Sequence, residues 1–203
     1  MNDMTTPNVV EDSAWAAVNT PLSVEHLTLF CKDVERLFRI NPLLEFNSFS
    51  KIGDNRFGMS GRNLSQETPF DFEVEFGVTE LPDGLQIDYK DGIKSNTIFK
   101  IESSEHGSKL TITEAYDRLP VEERQQHLDQ VDKSLITWAN YLQRFLITWS
   151  RWYRFRPWRW YMSKVWQPMK PMGRRITYIL LWITLAEFAL IALGVGIWFA
   201  EFS

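Results

Sequence analysis

The chain has 203 residues, 44% of them hydrophobic and 24% charged, with a formal net charge of −4; that balance fits one globular domain with a smaller appendage and excludes a disordered chain or a polytopic membrane protein. The charge is unevenly spread: residues 1–143 carry 13 basic and 24 acidic side chains, net −11, residues 144–175 carry nine basic and none acidic, and residues 176–203 hold only Glu187 and Glu201. A lone cysteine, Cys31, excludes an internal disulfide or a CxxC site and fits a reducing compartment.

In chain order, residues 1–12 read as a mobile N-terminus without the basic and apolar regions of a secretory signal peptide. Ala14 to Asn19 then predicts a first strand before Pro21. Ser23 is placed to cap a helical turn carrying Leu27, Phe30 and Cys31, and Asp33 to cap a second carrying Leu37 and Ile40, which Asn41-Pro42 ends. Six strand-like segments follow, over 43–51, 56–63, 70–80, 85–90, 96–102 and 109–116. Their links are mostly short and rich in turn residues (Gly53-Asp54-Asn55, Pro82-Asp83-Gly84, Asp91-Gly92, His106-Gly107), so they predict an antiparallel meander.

Alternation identifies the inward face. Phe70, Phe72, Val74, Phe76 and Val78 oppose Asp71, Glu73, Glu75 and Thr79, and Leu85, Ile87 and Tyr89, Phe99 and Ile101, and Leu110 and Ile112 repeat the pattern. Continued by two residues, the same rule turns Glu114 inward, where a desolvated carboxyl could orient a ligand or move a proton; if the strand ends first, Glu114 reaches solvent. A final long helix is predicted from Pro120, with Glu122 and Glu123 at the positive end of its dipole and Val131, Leu135, Trp138, Leu142, Phe145 and Trp149 at helical spacing.

This order of strand, helical pair, six-strand meander and long helix resembles the START-like, SRPBCC superfamily with its helix-grip fold, which includes polyketide cyclase-like and lipid-transfer proteins. The residues that carry the resemblance are Lys32-Asp33-Val34-Glu35-Arg36, Asn41-Pro42 and Trp138-Ala139-Asn140-Tyr141-Leu142, within a domain spanning residues 13–149. It implies an α+β fold in which an antiparallel sheet wraps a long helix around an apolar cavity. The cavity wall is expected from Phe70, Phe72, Phe76, Ile87, Phe99, Ile112, Glu114, Trp138, Leu142 and Phe145. These residues serve equally well as a plain core.

Residues 150–175 form a basic, aromatic segment. Arg151, Arg154, Arg156, Arg159, Arg174 and Arg175 interleave with Trp152, Trp158, Trp160 and Trp166, a composition suited to a bilayer interface, with rings at headgroup level and cations on anionic phosphates. Stacking on single-stranded nucleic acid uses similar residues, but the −11 body opposes a polyanionic partner, and none is expected.

Residues 176–200 contain no Lys or Arg and one acid, Glu187. As a helix they extend roughly 37 Å, enough to cross a hydrocarbon core of about 30 Å. Lys164, Lys170, Arg174 and Arg175 precede the span and no cation follows it, which predicts a single-pass, tail-anchored protein with a cytoplasmic body. The resemblance points to a prokaryotic inner membrane, and a eukaryotic tail-anchored protein would have a similar pattern. Glu187 lies near mid-span, where an ionisable group is costly and so is either paired with a partner helix or protonated; Ala192 and Gly196 form a small-xxx-small pair for close helix approach.

Other chemistry is missing from the sequence. There is no GxxxxGK[ST], GxGxxG or HExxH, and His26, His106 and His127 lie in separate elements without metal-ligand spacing. Asn63-Leu64-Ser65 matches a glycosylation sequon, which a cytoplasmic body would not expose to the enzyme. No metal, cofactor or catalytic residue is expected. The preferred reading is a membrane-anchored protein that binds or transfers a hydrophobic small molecule such as a lipid, quinone or isoprenoid. The alternative is a non-catalytic accessory or assembly subunit of a membrane complex, and enzymatic action has only Glu114 and the breadth of the superfamily behind it.

Overall fold

The computed structural model describes residues 13–118 and 133–202. Strand β1 (Ser13–Thr20) is followed by two short helices, α1 (Val24–Cys31) and α2 (Val34–Arg39). Both start where side-chain caps satisfy open amides: Ser23 Oγ accepts from His26 N, and Asp33 Oδ1 accepts from Arg36 N. After α2, Asn41 is fully buried; its Oδ1 accepts from Leu43 N and its Nδ2 donates to Ser134 Oγ at 2.7 Å. That bond joins the end of the helical pair to the start of the final domain helix, 93 residues later.

Six strands complete the sheet: β2 (Leu44–Lys51), β3 (Arg56–Asn63), β4 (Phe70–Leu81), β5 (Gly84–Tyr89), β6 (Asn96–Ser104) and β7 (Gly107–Ala115). The sheet order is β1-β7-β6-β5-β4-β3-β2, every pairing antiparallel, so the meander is closed on one side by the first strand returning beside the last. Helix α3 (Leu135–Trp152) lies against this sheet through Leu135, Trp138, Ala139, Leu142 and Leu146, all buried. Trp138 is the pivot. Its ring stacks on Phe38 at 5.5 Å, meets Phe99 edge-on at 5.7 Å, and its Nε1 donates to Leu37 O at 2.9 Å. The fold is thus α+β, an antiparallel sheet gripping a long helix, as expected.

The mobile N-terminus expected over residues 1–12 and the helix start expected at Pro120, with Glu122, Glu123, His127 and Val131, lie outside the described residues. The helix also runs past Trp149 to Trp152, and the chain beyond it stays structured. Helix α4 (Arg156–Tyr161) begins with Pro157 in its first turn, a single π-helical turn covers Met162–Trp166, and α5 (Pro171–Phe202) follows. By length and composition, Pro171–Glu201 could cross a membrane; its most apolar window has a mean hydropathy of 2.2, and none of that window is buried in the protein.

Candidate functional site

The site arises from a mismatch of strand lengths. β4 has 12 residues and β5 only six, so β5 pairs with Phe76–Leu81 and leaves Phe70–Glu75 with β3 alone beside it. One further bond, Lys90 N to Glu75 O, closes the pairing before the chain loops away through residues 91–95. The notch opens into a cavity of about 420 Å³. Phe38, Leu44, Met59, Phe70, Phe72 and Val74 supply its apolar wall, Tyr89, Lys94 and Tyr116 its polar end, and Asp71, Glu73 and Asp91 belong to the lining as well.

Behind the polar end lies Glu114, fully buried on β7. Lys94 Nζ donates to its Oε1 at 2.5 Å and Tyr116 Oη to its Oε2 at 2.8 Å, so both carboxylate oxygens are engaged. The alternation through Leu110 and Ile112 therefore continues inward to Glu114. Tyr89 Oη shares a hydrogen bond with the buried Thr97 Oγ1 at 3.1 Å, and the Lys94 ammonium sits 5.8 Å and 5.9 Å from the rings of Tyr89 and Tyr116. A Lys–Glu pair removed from water bears a desolvation cost of several kcal/mol per ion. Direct contact and the Tyr116 bond offset it.

Of the residues expected to line the cavity, Phe70 and Phe72 do so. Phe76, Ile87, Phe99, Ile112, Trp138 and Leu142 are instead packed core, none more than 2% exposed, and Glu114 stands one layer behind the wall. The space under the middle of α3 is filled by α2: Phe38 packs between Trp138 and Phe76, at 5.5 Å and 5.6 Å. Phe145 lies in a different cluster, stacked on Trp149 at 5.8 Å and against Trp166 at 5.2 Å. The cavity is therefore displaced to one end of the sheet. Lys94 and Tyr116 were not legible as site residues, because Asp91-Gly92 reads as a turn and nothing in its sequence says which way the loop folds.

The basic segment divides in two. Trp152, Phe155 and Trp160 are more than half exposed, and Arg151, Arg154, Arg156, Arg159 and Arg175 point outward. Trp158 and Trp166 instead pack on α3, at 5.2 Å from Trp149 and from Phe145. Arg174 is also held inside the protein: its guanidinium lies 3.9 Å from the Trp166 ring centre and donates to the carbonyls of Arg39, Trp166 and Gln167. Arg151 and Arg154 border a second, polar cleft of about 330 Å³ with Ser23, His26, Ser150 and Tyr153.

Nearby, Arg36 is sandwiched between Phe30 and Trp149, its carbon 4.1 Å and 4.7 Å from the ring centres. Burial lowers its pKa, and Asp33 opposes the shift. The neighbouring Cys31 thiol is pushed up to about 12 by burial, so it is no nucleophile at neutral pH. Among the described residues no three His, Cys, Asp or Glu side chains gather to hold a metal ion. In α5, Glu187 is exposed, and at about 100° per residue Ala192 and Gly196 lie about 140° and about 180° around the helix from it. The acid and the small-residue pair thus occupy nearly opposite faces and cannot share one helix contact.

No protein-family model matches the chain, and neither does any curated protein. Among solved structures, a protein of Mycobacterium smegmatis is 12% identical with a TM-score of 0.48, covering 67% of this chain and 91% of its own. A STAR-related lipid transfer protein from Xanthomonas axonopodis (fragment 25–204) is 10% identical with a TM-score of 0.42, covering 65% and 85%. A polyketide-cyclase-like protein from Corynebacterium glutamicum is 16% identical with a TM-score of 0.36, covering 66% and 86%. The fold assignment rests on the strand order and the gripped helix described above.

Proposed function

We propose that the chain is a membrane-anchored protein that binds or transfers a hydrophobic ligand, a lipid, quinone or isoprenoid, through a START-like domain on the cytoplasmic side. The observation that carries this reading is the apolar cavity at the β4 notch. It is large enough for part of a lipid-sized molecule and is lined by Phe38, Leu44, Met59, Phe70, Phe72 and Val74. The candidate span supports a tether, which would keep the cavity within reach of ligands dissolved in the bilayer. The cluster of Lys164, Lys170, Arg174 and Arg175 just before the span supports the cytoplasmic placement of the domain. Exposed Trp152, Phe155 and Trp160 beside outward arginines fit the water-facing bilayer surface.

The test is mass spectrometry of small molecules extracted from the full chain purified from its own membranes, beside a Met59→Trp variant that fills the cavity. A stoichiometric apolar compound present in the first and absent from the second supports the reading. Equal amounts in both, or none in either, overturn it.

One observation favours a second reading, an accessory subunit of a membrane complex. Glu187 is exposed at mid-span, where a polar side chain is stabilised by a hydrogen-bonding neighbour helix. Under that reading Glu187→Leu shifts the protein to lower mass on a native gel. Unchanged migration argues against it.

A further inference from the structure

The second, polar cleft lies where the start of α1 meets the end of α3. Its volume of about 330 Å³ is lined by Ser23 and His26 from the first element and by Ser150, Arg151, Tyr153 and Arg154 from the second, with no Asp or Glu in the lining. Both arginines are exposed, and their donors are open. Among the described residues the Arg151 side chain has no hydrogen bond or ion pair within the protein, and Arg154 uses only its Nε, on Tyr153 Oη at 3.3 Å. Both terminal nitrogens of Arg154 remain available. His26 engages Ser23 Oγ through Nδ1 at 2.9 Å, and its ring lies 5.5 Å from that of Tyr153. Tyr153 therefore links the α1 side of the cleft to the Arg154 guanidinium. When Nδ1 accepts from the Ser23 hydroxyl, Nε2 carries the ring proton and adds a further donor.

Two guanidinium groups without a matching carboxylate make a site for an anion, and the guanidinium fork fits phosphate oxygens two at a time. The surroundings say which phosphate. Trp152 and Phe155, each more than half exposed, stand beside Arg151 and Arg154 in the chain, and exposed aromatic residues of this kind settle at the headgroup level of a bilayer. The anion that arginines meet at that depth is lipid phosphate. We propose that this cleft binds the headgroup of an anionic phospholipid, with Arg151 and Arg154 on the phosphate oxygens and His26 beside them. A headgroup that carries its own ammonium is rejected, because that charge would approach two uncompensated cations. The site rests on the membrane tether of the reading above and is independent of the cavity at the β4 notch. It differs from the general attraction of a basic segment to a negative surface in assigning the selectivity to two arginines among several.

The experiment titrates the full chain in a non-ionic detergent with dihexanoyl-phosphatidylglycerol, dihexanoyl-phosphatidylcholine and inorganic phosphate, followed by calorimetry. The expected result is that phosphatidylglycerol binds at least about tenfold more tightly than either of the others. Arg151→Gln/Arg154→Gln should lose that advantage, whereas Arg156→Gln/Arg159→Gln, which removes the same charge from the same segment, should keep the parent affinity within about twofold. All four arginines are exposed, so neither variant opens the core. Equal losses in the two variants would reduce the effect to the charge of the segment and overturn the site. Phosphatidylcholine binding as tightly as phosphatidylglycerol would overturn the headgroup selectivity, and inorganic phosphate binding as tightly would overturn the lipid as the source of the anion. No binding of any probe overturns this inference and leaves the ligand-binding reading standing. Recovery of the full chain in the aqueous fraction on detergent phase separation would overturn the tether, and the lipid assignment with it.

Discussion

Arg174, in the first turns of α5, donates a hydrogen bond to the main-chain carbonyl of Arg39, the last residue of α2. The same guanidinium holds Trp166 O at 3.1 Å and Gln167 O at 3.0 Å and stacks on the Trp166 ring, which packs on Phe145 of α3. One planar, five-donor group therefore couples α5 to the domain. Arg174→Ala leaves three carbonyls to find other partners, each about 1–3 kcal/mol if buried and unsatisfied. Amide exchange across residues 162–174 is expected to accelerate by at least about tenfold while β4–β7 keep their protection. Arg174→Lys should restore little, because an ammonium cannot reproduce the fork or the stacking. Equal exchange in all three proteins would remove the clamp.

Trp138 carries a comparable burden inside the domain. Trp138→Phe retains an aromatic ring but orphans Leu37 O and opens space beside Phe38 and Phe99, for an expected loss of about 2 kcal/mol. Trp138→Ala should cost about 3–5 kcal/mol. Denaturant unfolding of the two variants checks the ranking, and a Phe variant as stable as the parent would refute the hydrogen bond's contribution.

The overall architecture was legible because it depends on periodicity and punctuation. Phe70 to Val78 alternates cleanly, Ser23 and Asp33 cap as the sequence suggests, and Glu114 follows the strand rule inward. The cavity was less legible, since alternation says which face is inward but not what fills the space beneath it. Phe38 was not singled out in sequence, yet it occupies the centre and displaces the cavity toward the β4 notch. The notch itself depends on β5 ending six residues after it begins, and Lys94 reaches Glu114 through a loop whose path local sequence does not encode. Likewise, Trp158, Trp166 and Arg174 have interfacial composition but are placed by tertiary packing.

The β6–β7 turn offers a test of backbone constraint. Gly107 has φ of 136°, and a Cβ there would lie 2.2 Å from Thr20 O, where β1 runs alongside. Gly92 also has positive φ, 94°, but a Cβ there would meet nothing within 4 Å. Gly107→Ala therefore suffers both conformational strain and a backbone clash, Gly92→Ala only the strain. We expect Gly107→Ala to lose more than about 3 kcal/mol and Gly92→Ala about 1–2 kcal/mol. Thermal unfolding of the two variants would refute this if their order were reversed.

Cys31 links burial to alkaline stability. Its thiol ionises at about 12 in the folded protein, raised by burial and only partly countered by Arg36, against 9.0 in an exposed chain. Because the folded pKa is the higher, unfolding releases a proton once the pH exceeds 9. The stability tied to the neutral thiol is thus complete below 9 and is lost as the pH climbs toward 12, at about 1.4 kcal/mol per pH step. Lysines and tyrosines titrate over the same range, so the difference between the parent and Cys31→Ala isolates the thiol: the variant starts less stable at pH 7 but loses stability more slowly above pH 9. In the parent, iodoacetamide at pH 8 should label Cys31 only after denaturation. Rapid labelling of the native protein, or parallel pH slopes for parent and variant, would place the thiol nearer to solvent than its packing beside Phe30 and Arg36 allows.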